Sequence, residues 1–319
     1  MKDILRIALL IALPMPGAQV RIGILGLFHP PAVTLTARSI EAGGERVELH
    51  EAVGVRAAGG HVVVTVGGRE LRGTRLAASG PARIRIAGRI SRAYPGNVEI
   101  SAREGVLLAV VAMDLENAVA AVVASEMPHA SPEAAGALAV AARSYYAAGS
   151  RHGDFDFCDT THCQLLKEAD AEAETAARRT RGRMLFYQGT VVRALHFGSC
   201  GGRTFAASDV GMDGSSYPFF AVACETCARH PERWEARLPV TAVERTEAAR
   251  LELGRRFGWN RVASNDYSWE RTPVGVIVHG RGHGHGVGLC QRGAEGMARS
   301  GQGAESILQH YFPMTNIGR

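Results

Sequence analysis

Two periods of apolar residues divide this chain. Over residues 20–112 apolar and polar positions alternate, as in Val20-Arg-Ile-Gly-Ile, Ala32-Val-Thr-Leu-Thr, Arg46-Val-Glu-Leu-His and Ala82-Arg-Ile-Arg-Ile. Alternation puts every second side chain on one face of a strand, so these segments predict β-structure. Gly43-Gly44, Gly59-Gly60 and Gly67-Gly68 supply turns between them. Residues 92–102 and 106–113 continue the pattern around Tyr94-Pro95-Gly96.

The period then changes. Leu115, Val119, Val122 and Val123 recur at helical spacing. Glu126, eleven positions after Leu115, falls about 20° from it at 100° per residue, within the apolar stripe. That spacing aims a carboxylate at the interior, at the end of a helix closed by Pro128. Glu116 falls on the opposite arc and reads as a surface or first-turn residue. Ser131-Pro132-Glu133 opens a second helix with an N-cap and a first-turn proline. This helix runs through Tyr146 and stops near Gly149. Its many alanines let another element approach closely, and Arg143 shares a face with Ala135 and Ala139, which points it inward.

A third helix is expected over 169–181, followed by a hairpin over 184–197 turning at Gln188-Gly189. Beyond it the pattern predicts a strand at 274–279, a glycine-rich passage at 280–288, a helix over 290–300 and a last short helix over 304–311. The class is α+β: a β-rich N-terminal region over 19–90, then a mixed helix and strand domain over 91–319.

Length and charge narrow the function classes. The 319 residues suffice for a full core. Net charge is +5, almost all of it arginine, since Lys2 and Lys167 are the only lysines. The arginines are scattered, with no basic block or aromatic-basic alternation, which argues against a nucleic-acid partner. A general positive field suits an anionic polymer better than sequence reading. At the N-terminus, Lys2 and Arg6 precede the apolar run 7–12, then Pro14, Pro16 and the small Gly17-Ala18. This reads as a signal peptide or short anchor over 1–18, too short to span a bilayer comfortably. The protein is therefore expected to be exported to periplasm, cell wall or medium, with no other membrane span.

Several side chains could carry chemistry. A carboxyl in an apolar setting holds its proton closer to neutrality, so Glu126 is the candidate acid for protonating a glycosidic oxygen. His152, Cys158, His162 and Cys163 resemble a zinc set, because thiolate and imidazole are the preferred ligands and four of them close a tetrahedral structural site. A small Cys158–Cys163 disulfide is the alternative. Cys224-Glu-Thr-Cys227, with Cys200 and Cys290, leaves a second metal site and a pair of disulfides both open. The glycine-rich passage lacks the strand, helix and lysine of a phosphate loop. Its glycines are expected to bring backbone close to a flat ligand, with His285 and Gln291 offering hydrogen bonds.

In order along the chain, Ala124-Ser-Glu126-Met-Pro128, Ala139-Val-Ala-Ala-Arg143-Ser-Tyr145, Cys158-Asp-Thr-Thr-His-Cys-Gln164, Ser199-Cys-Gly-Gly202 and Gly284-His-Gly-Val-Gly-Leu-Cys-Gln291 resemble the stage II sporulation protein D family. That family includes enhancers of cell-wall amidases. The likeness spans residues 92–317. Ala118-Val119 and His283 depart from it, standing where aromatic residues are usual. The resemblance implies a glycan groove and a peptidoglycan lytic transglycosylase acting on strands stripped of stem peptides. It implies Glu126 and Arg143 as catalytic, and Tyr145, Ser199, His285 and Gln291 as substrate-binding. It further implies structural zinc on His152, Cys158, His162 and Cys163. The expected partners are glycan strands and a cell-wall amidase. The alternative is a non-catalytic glycan-binding protein that enhances such an amidase.

Overall fold

The computed structural model describes residues 18–150 and 152–319. The expected export segment therefore lies, except for Ala18, outside the described residues. Two sheets make up the N-terminal part. The seven-stranded one has the order Phe157–Cys158, Gln19–Ile24, Val106–Asp114, Asn97–Arg103, Arg75–Ser79, Ser39–Ala42, Glu45–Glu48. The six-stranded one has the order Ile90–Tyr94, Ala82–Ile86, Ala32–Thr36, Val53–Ala58, His61–Val66, Arg69–Gly73. Alternation does what the sequence pattern requires: Leu107, Ala109, Val111 and Met113 are buried along one strand while their neighbours face outward. Each fully buried Val, Leu or Ile contributes about 1.5–3 kcal/mol. The alternation read over 92–102 and 106–113 forms strands, from Asn97 onward in the seven-stranded sheet. The strands Asn97–Arg103 and Val106–Asp114 pair with Arg75–Ser79 and Gln19–Ile24, so the sheet extends to Asp114.

Helices follow directly. They are α1 (Leu115–Glu126), α2 (Pro132–Ala147), α3 (Ala171–Arg179), α4 (Glu225–Arg229), α5 (Glu247–Phe257), α6 (Gln291–Arg299) and α7 (Ala304–Tyr311). Asp114 caps α1, its carboxylate accepting the Glu116 N–H at 2.8 Å. The sequence pattern suggested one apolar stripe on α1, but Ala118 through Ala124 are all buried. In α2 burial is unbroken from Ala134 to Tyr146. Small side chains let neighbours pack on every face, so both are core helices. Ser131 stands at the N-cap of α2, but its hydroxyl donates to Glu295 Oε1 at 2.8 Å instead of capping, which ties α2 to α6.

The expected hairpin is short. Met184–Tyr187 pairs with Thr190–Val191 and with the C-terminal Asn316–Gly318. The chain then leaves that sheet, and His196–Phe197 pairs in parallel with Leu289–Cys290. A three-stranded sheet of Arg233–Leu238, Gly275–Arg281 and Asp266–Thr272 packs with α5 around its own small core of Ala236, Leu253, Tyr267 and Val278. The fold is α+β. No helix among the described residues is long and apolar enough to cross a membrane.

Candidate active site and metal centres

Glu126 is the last residue of α1 and is half-buried. Gln291, the first residue of α6, donates from Nε2 to Glu126 Oε2 at 3.0 Å and to His196 Nδ1 at 3.3 Å. Because the carboxylate is an acceptor, the Gln291 amide must turn its nitrogen toward it. The other Glu126 oxygen takes no hydrogen bond from the described residues. Burial holds His196 below its usual pKa, with the Glu126 carboxylate pulling the other way. His196 is thus a neutral ring whose Nδ1 accepts. His285 sits behind it: its Nδ1 accepts the Val287 N–H at 3.1 Å and its Nε2 donates to His196 O at 3.0 Å. Burial pushes His285 down to about 4.

Three segments from distant parts of the chain therefore meet at Glu126. His196 was not singled out by the sequence, because the expected hairpin gave its strand a different neighbour. The parallel pairing of His196–Phe197 with Leu289–Cys290 is what places it beside Gln291. Two glycines of the glycine-rich passage lie close against the chain itself. A Cβ at Gly284 would lie 2.8 Å from Phe197 Cβ, and one at Gly288 would lie 2.3 Å from Leu195 O.

Arg143 is 1% exposed and points inward as anticipated, but not toward Glu126. Its Nε and Nη2 grip both oxygens of Glu116 at 2.8 and 2.6 Å. The remaining donors reach Ala177 O and Arg183 O at 3.2 and 3.1 Å. A buried guanidinium must be paired and fully bonded, and this one is. These bonds tie α1, α2 and α3 together, and none of them reaches Glu126, beside which the catalytic expectation places Arg143. Glu116 is in the first turn, as read, but is this arginine's partner instead of a surface residue.

Two expected substrate contacts also face elsewhere. Tyr145 is 2% exposed, lies against Tyr146 and Phe157, and hydrogen-bonds Cys163. Ser199 is buried and its hydroxyl donates to Glu232 Oε2 at 2.7 Å. Gln291 and His285 are the two of the four that join the Glu126 cluster. Clefts of about 310 Å³ beside Val274 and Val276 and about 70 Å³ between α2 and α3 do not include Glu126.

The four residues expected to hold zinc come together. One ligand atom from each of His152, Cys158, His162 and Cys163 lies within 4.8 Å of the others. His152 Nε2 is 3.3 Å from Cys163 Sγ, and His162 Nδ1 is 3.5 and 3.8 Å from Cys163 and Cys158. The Cys163 thiol hydrogen-bonds Cys158 and holds it down to about 4, while Cys163 is pushed up. A thiolate is the form that binds metal. The loop is anchored to the first strand: Phe157–Cys158 pairs with Ile22 and Gly23, and Asp159 accepts the Leu25 N–H at 3.2 Å. Two imidazoles and two thiols suit zinc. Cys200, Cys224, Cys227 and Cys290 form a second, fully buried group, also with mutual separations within 4.8 Å.

A family model described as SpoIID, stage II sporulation protein, matches residues 103–187. This span holds Glu126, Arg143 and the first metal-capable group, and ends before His196 and Gln291. The protein named stage II sporulation protein D of Bacillus subtilis is 25% identical over 255 residues, covering 64% of this chain and 74% of that one. Its namesake in Bacillus amyloliquefaciens is 26% identical over 262 residues, with the same coverage. An uncharacterized protein of Brachyspira hyodysenteriae is 27% identical over 266 residues, 70% of this chain and 72% of its own.

Proposed function

As a chain that belongs to the stage II sporulation protein D family, this protein has, we propose, a cell-wall role as a peptidoglycan lytic transglycosylase. The observation that carries the reading is the asymmetry of the Glu126 carboxyl group. One oxygen is held by Gln291 and the other is open. An N–H donor at Oε2 requires an acceptor there, so the proton of the acid form sits on Oε1, the oxygen that faces a substrate.

The chemistry then needs a single carboxyl group. Glu126 gives its proton to the glycosidic oxygen as the bond from the N-acetylmuramic acid C1 breaks. The carboxylate left behind takes the proton of the same sugar's C6 hydroxyl, whose oxygen closes onto C1. The product is a 1,6-anhydro end, and no water enters. Hydrolytic glycosidases use a second carboxylate to activate water or to attack carbon. The neighbours of Glu126 here are an amide and a neutral imidazole.

His152, Cys158, His162 and Cys163 would hold zinc, which would pin the loop to the first strand. Four protein donors complete a tetrahedron, so the ion's role is structural. Export across the cytoplasmic membrane belongs to the same proposal, since the substrate lies outside it.

Mass spectrometry of products from denuded glycan strands tests the reading. Anhydro ends should form with the wild type and vanish with Glu126→Gln. A wild type that yields none, yet stimulates a cell-wall amidase on the same strands, would replace this reading with the enhancer one.

A further inference from the structure

We propose that Cys200, Cys224, Cys227 and Cys290 bind a second zinc ion, as a tetrathiolate site that ties together the segments carrying His196 and Gln291. Their exposures are 2, 3, 1 and 0%, so all four thiols point into one dry space. A tetrahedral zinc with bonds of about 2.3 Å sets its sulfurs about 3.8 Å apart. Cys227 Sγ and Cys290 Sγ are 3.6 Å apart, and no two of the four sulfurs are farther apart than 4.8 Å. Two disulfides would need the sulfurs only in pairs. Closeness of all four to one another is what a single central ion requires.

The surroundings are built for it. Cys224 and Cys227 flank the start of α4 with the two-residue spacing of a zinc knuckle. Cys290 caps α6, its sulfur accepting the Gly293 N–H at 3.4 Å, and the Tyr311 hydroxyl lies 3.4 Å from Cys224 Sγ. Such donors offset the charge of a tetrathiolate and fix its orientation. Gly293 and Gly296 clear the face of α6 for the knuckle. A Cβ at Gly293 would stand 2.5 Å from Cys224 Sγ, and one at Gly296 would stand 2.1 Å from Thr226 Oγ1.

The position of the site gives it a consequence. Cys290 directly precedes Gln291, and Cys200 follows the strand of His196. The ion would clamp both members of the parallel pair under Glu126, and so hold the carboxylate's donor in place. This consequence rests on the role proposed for Glu126, but the site itself does not.

Metal content and zinc X-ray absorption of the full chain test the site without any activity assay. The wild type should carry about two zinc ions, with an average shell of three sulfurs to one nitrogen. Cys158→Ser with Cys163→Ser removes the other group's thiolates and should leave about one zinc in an all-sulfur shell at about 2.3 Å. A wild type with a single zinc in a shell of equal sulfur and nitrogen overturns the proposal, whether or not the double variant folds. So does a disulfide joining any two of the four cysteines in non-reducing peptide maps.

Discussion

The two ends of α1 carry glutamates ten residues apart in sequence and opposite in circumstance. Glu116, in the first turn, has both oxygens taken by the buried Arg143. Glu126, in the last turn, shares one oxygen with an amide and leaves the other open. The first arrangement satisfies a buried charge completely and leaves nothing for a ligand. The second leaves one carboxylate oxygen free to meet a ligand, as the proposed role requires. Residue type does not separate architecture from chemistry in this helix; partners do.

The largest effect should follow from Glu126→Gln, which keeps the shape and removes the proton carrier. Glycan cleavage should fall by about 10²–10⁴-fold, with the thermal unfolding temperature unchanged. Glu116→Gln should do the reverse, and a variant that loses rate but not stability would break the contrast. Arg143→Met leaves the partly buried Glu116 without its cation and the acceptors of the other guanidinium donors in the core without this bond, and should cost about 3 kcal/mol in urea unfolding. The double replacement of Glu116 and Arg143 should cost less than the sum of the single changes, as a cycle would show.

A smaller effect concerns acid. Burial lowers the His285 pKa to about 4, below its unfolded value, so between those values the unfolded chain binds the extra proton. Stability from this group is fully present above about pH 6.5 and is lost as pH falls toward 4, by about 3 kcal/mol. Replacing His285 by Asn should flatten that part of the stability profile, and an unchanged slope would reject the assignment. Smallest is Gln291→Ala, which frees the second Glu126 oxygen. The rate should fall about tenfold, near 1.4 kcal/mol, with zinc content preserved. A loss as large as that of Glu126→Gln would move Gln291 from a supporting to an essential role.

Parts of this site were legible in the sequence and parts were not, for identifiable reasons. Glu126 stood out because helical periodicity and Pro128 locate it at a helix end. Cys158, His162 and Cys163 stood out because metal-capable residue types crowd a few positions. Arg143 was read correctly as inward, yet its partner depends on how α1, α2 and α3 cross, which a single helix pattern does not contain. His196 escaped notice because local pattern extends a hairpin through it, whereas its true neighbour strand lies near the end of the chain. The same limit applied to the glycine-rich passage: its glycines signalled close approach, but not that Gly284 would meet Phe197 and Gly288 would meet Leu195. The alternation over 92–102 and 106–113 was legible as strand, but not that Asn97–Arg103 and Val106–Asp114 pair with Arg75–Ser79 and Gln19–Ile24, because register between distant segments is not a local property.

What the sequence determined by itself was local. Alternating side chains made strands, alanine-rich periodic runs made helices, and prolines and glycines ended them, because each depends on a few neighbouring residues. Which of two glutamates keeps an open oxygen, which histidine stands beside it and whether four scattered cysteines share one point were decided by tertiary structure. Those outcomes depend on charge satisfaction and contact between segments far apart in the chain, and such segments acquire neighbours only when the core closes.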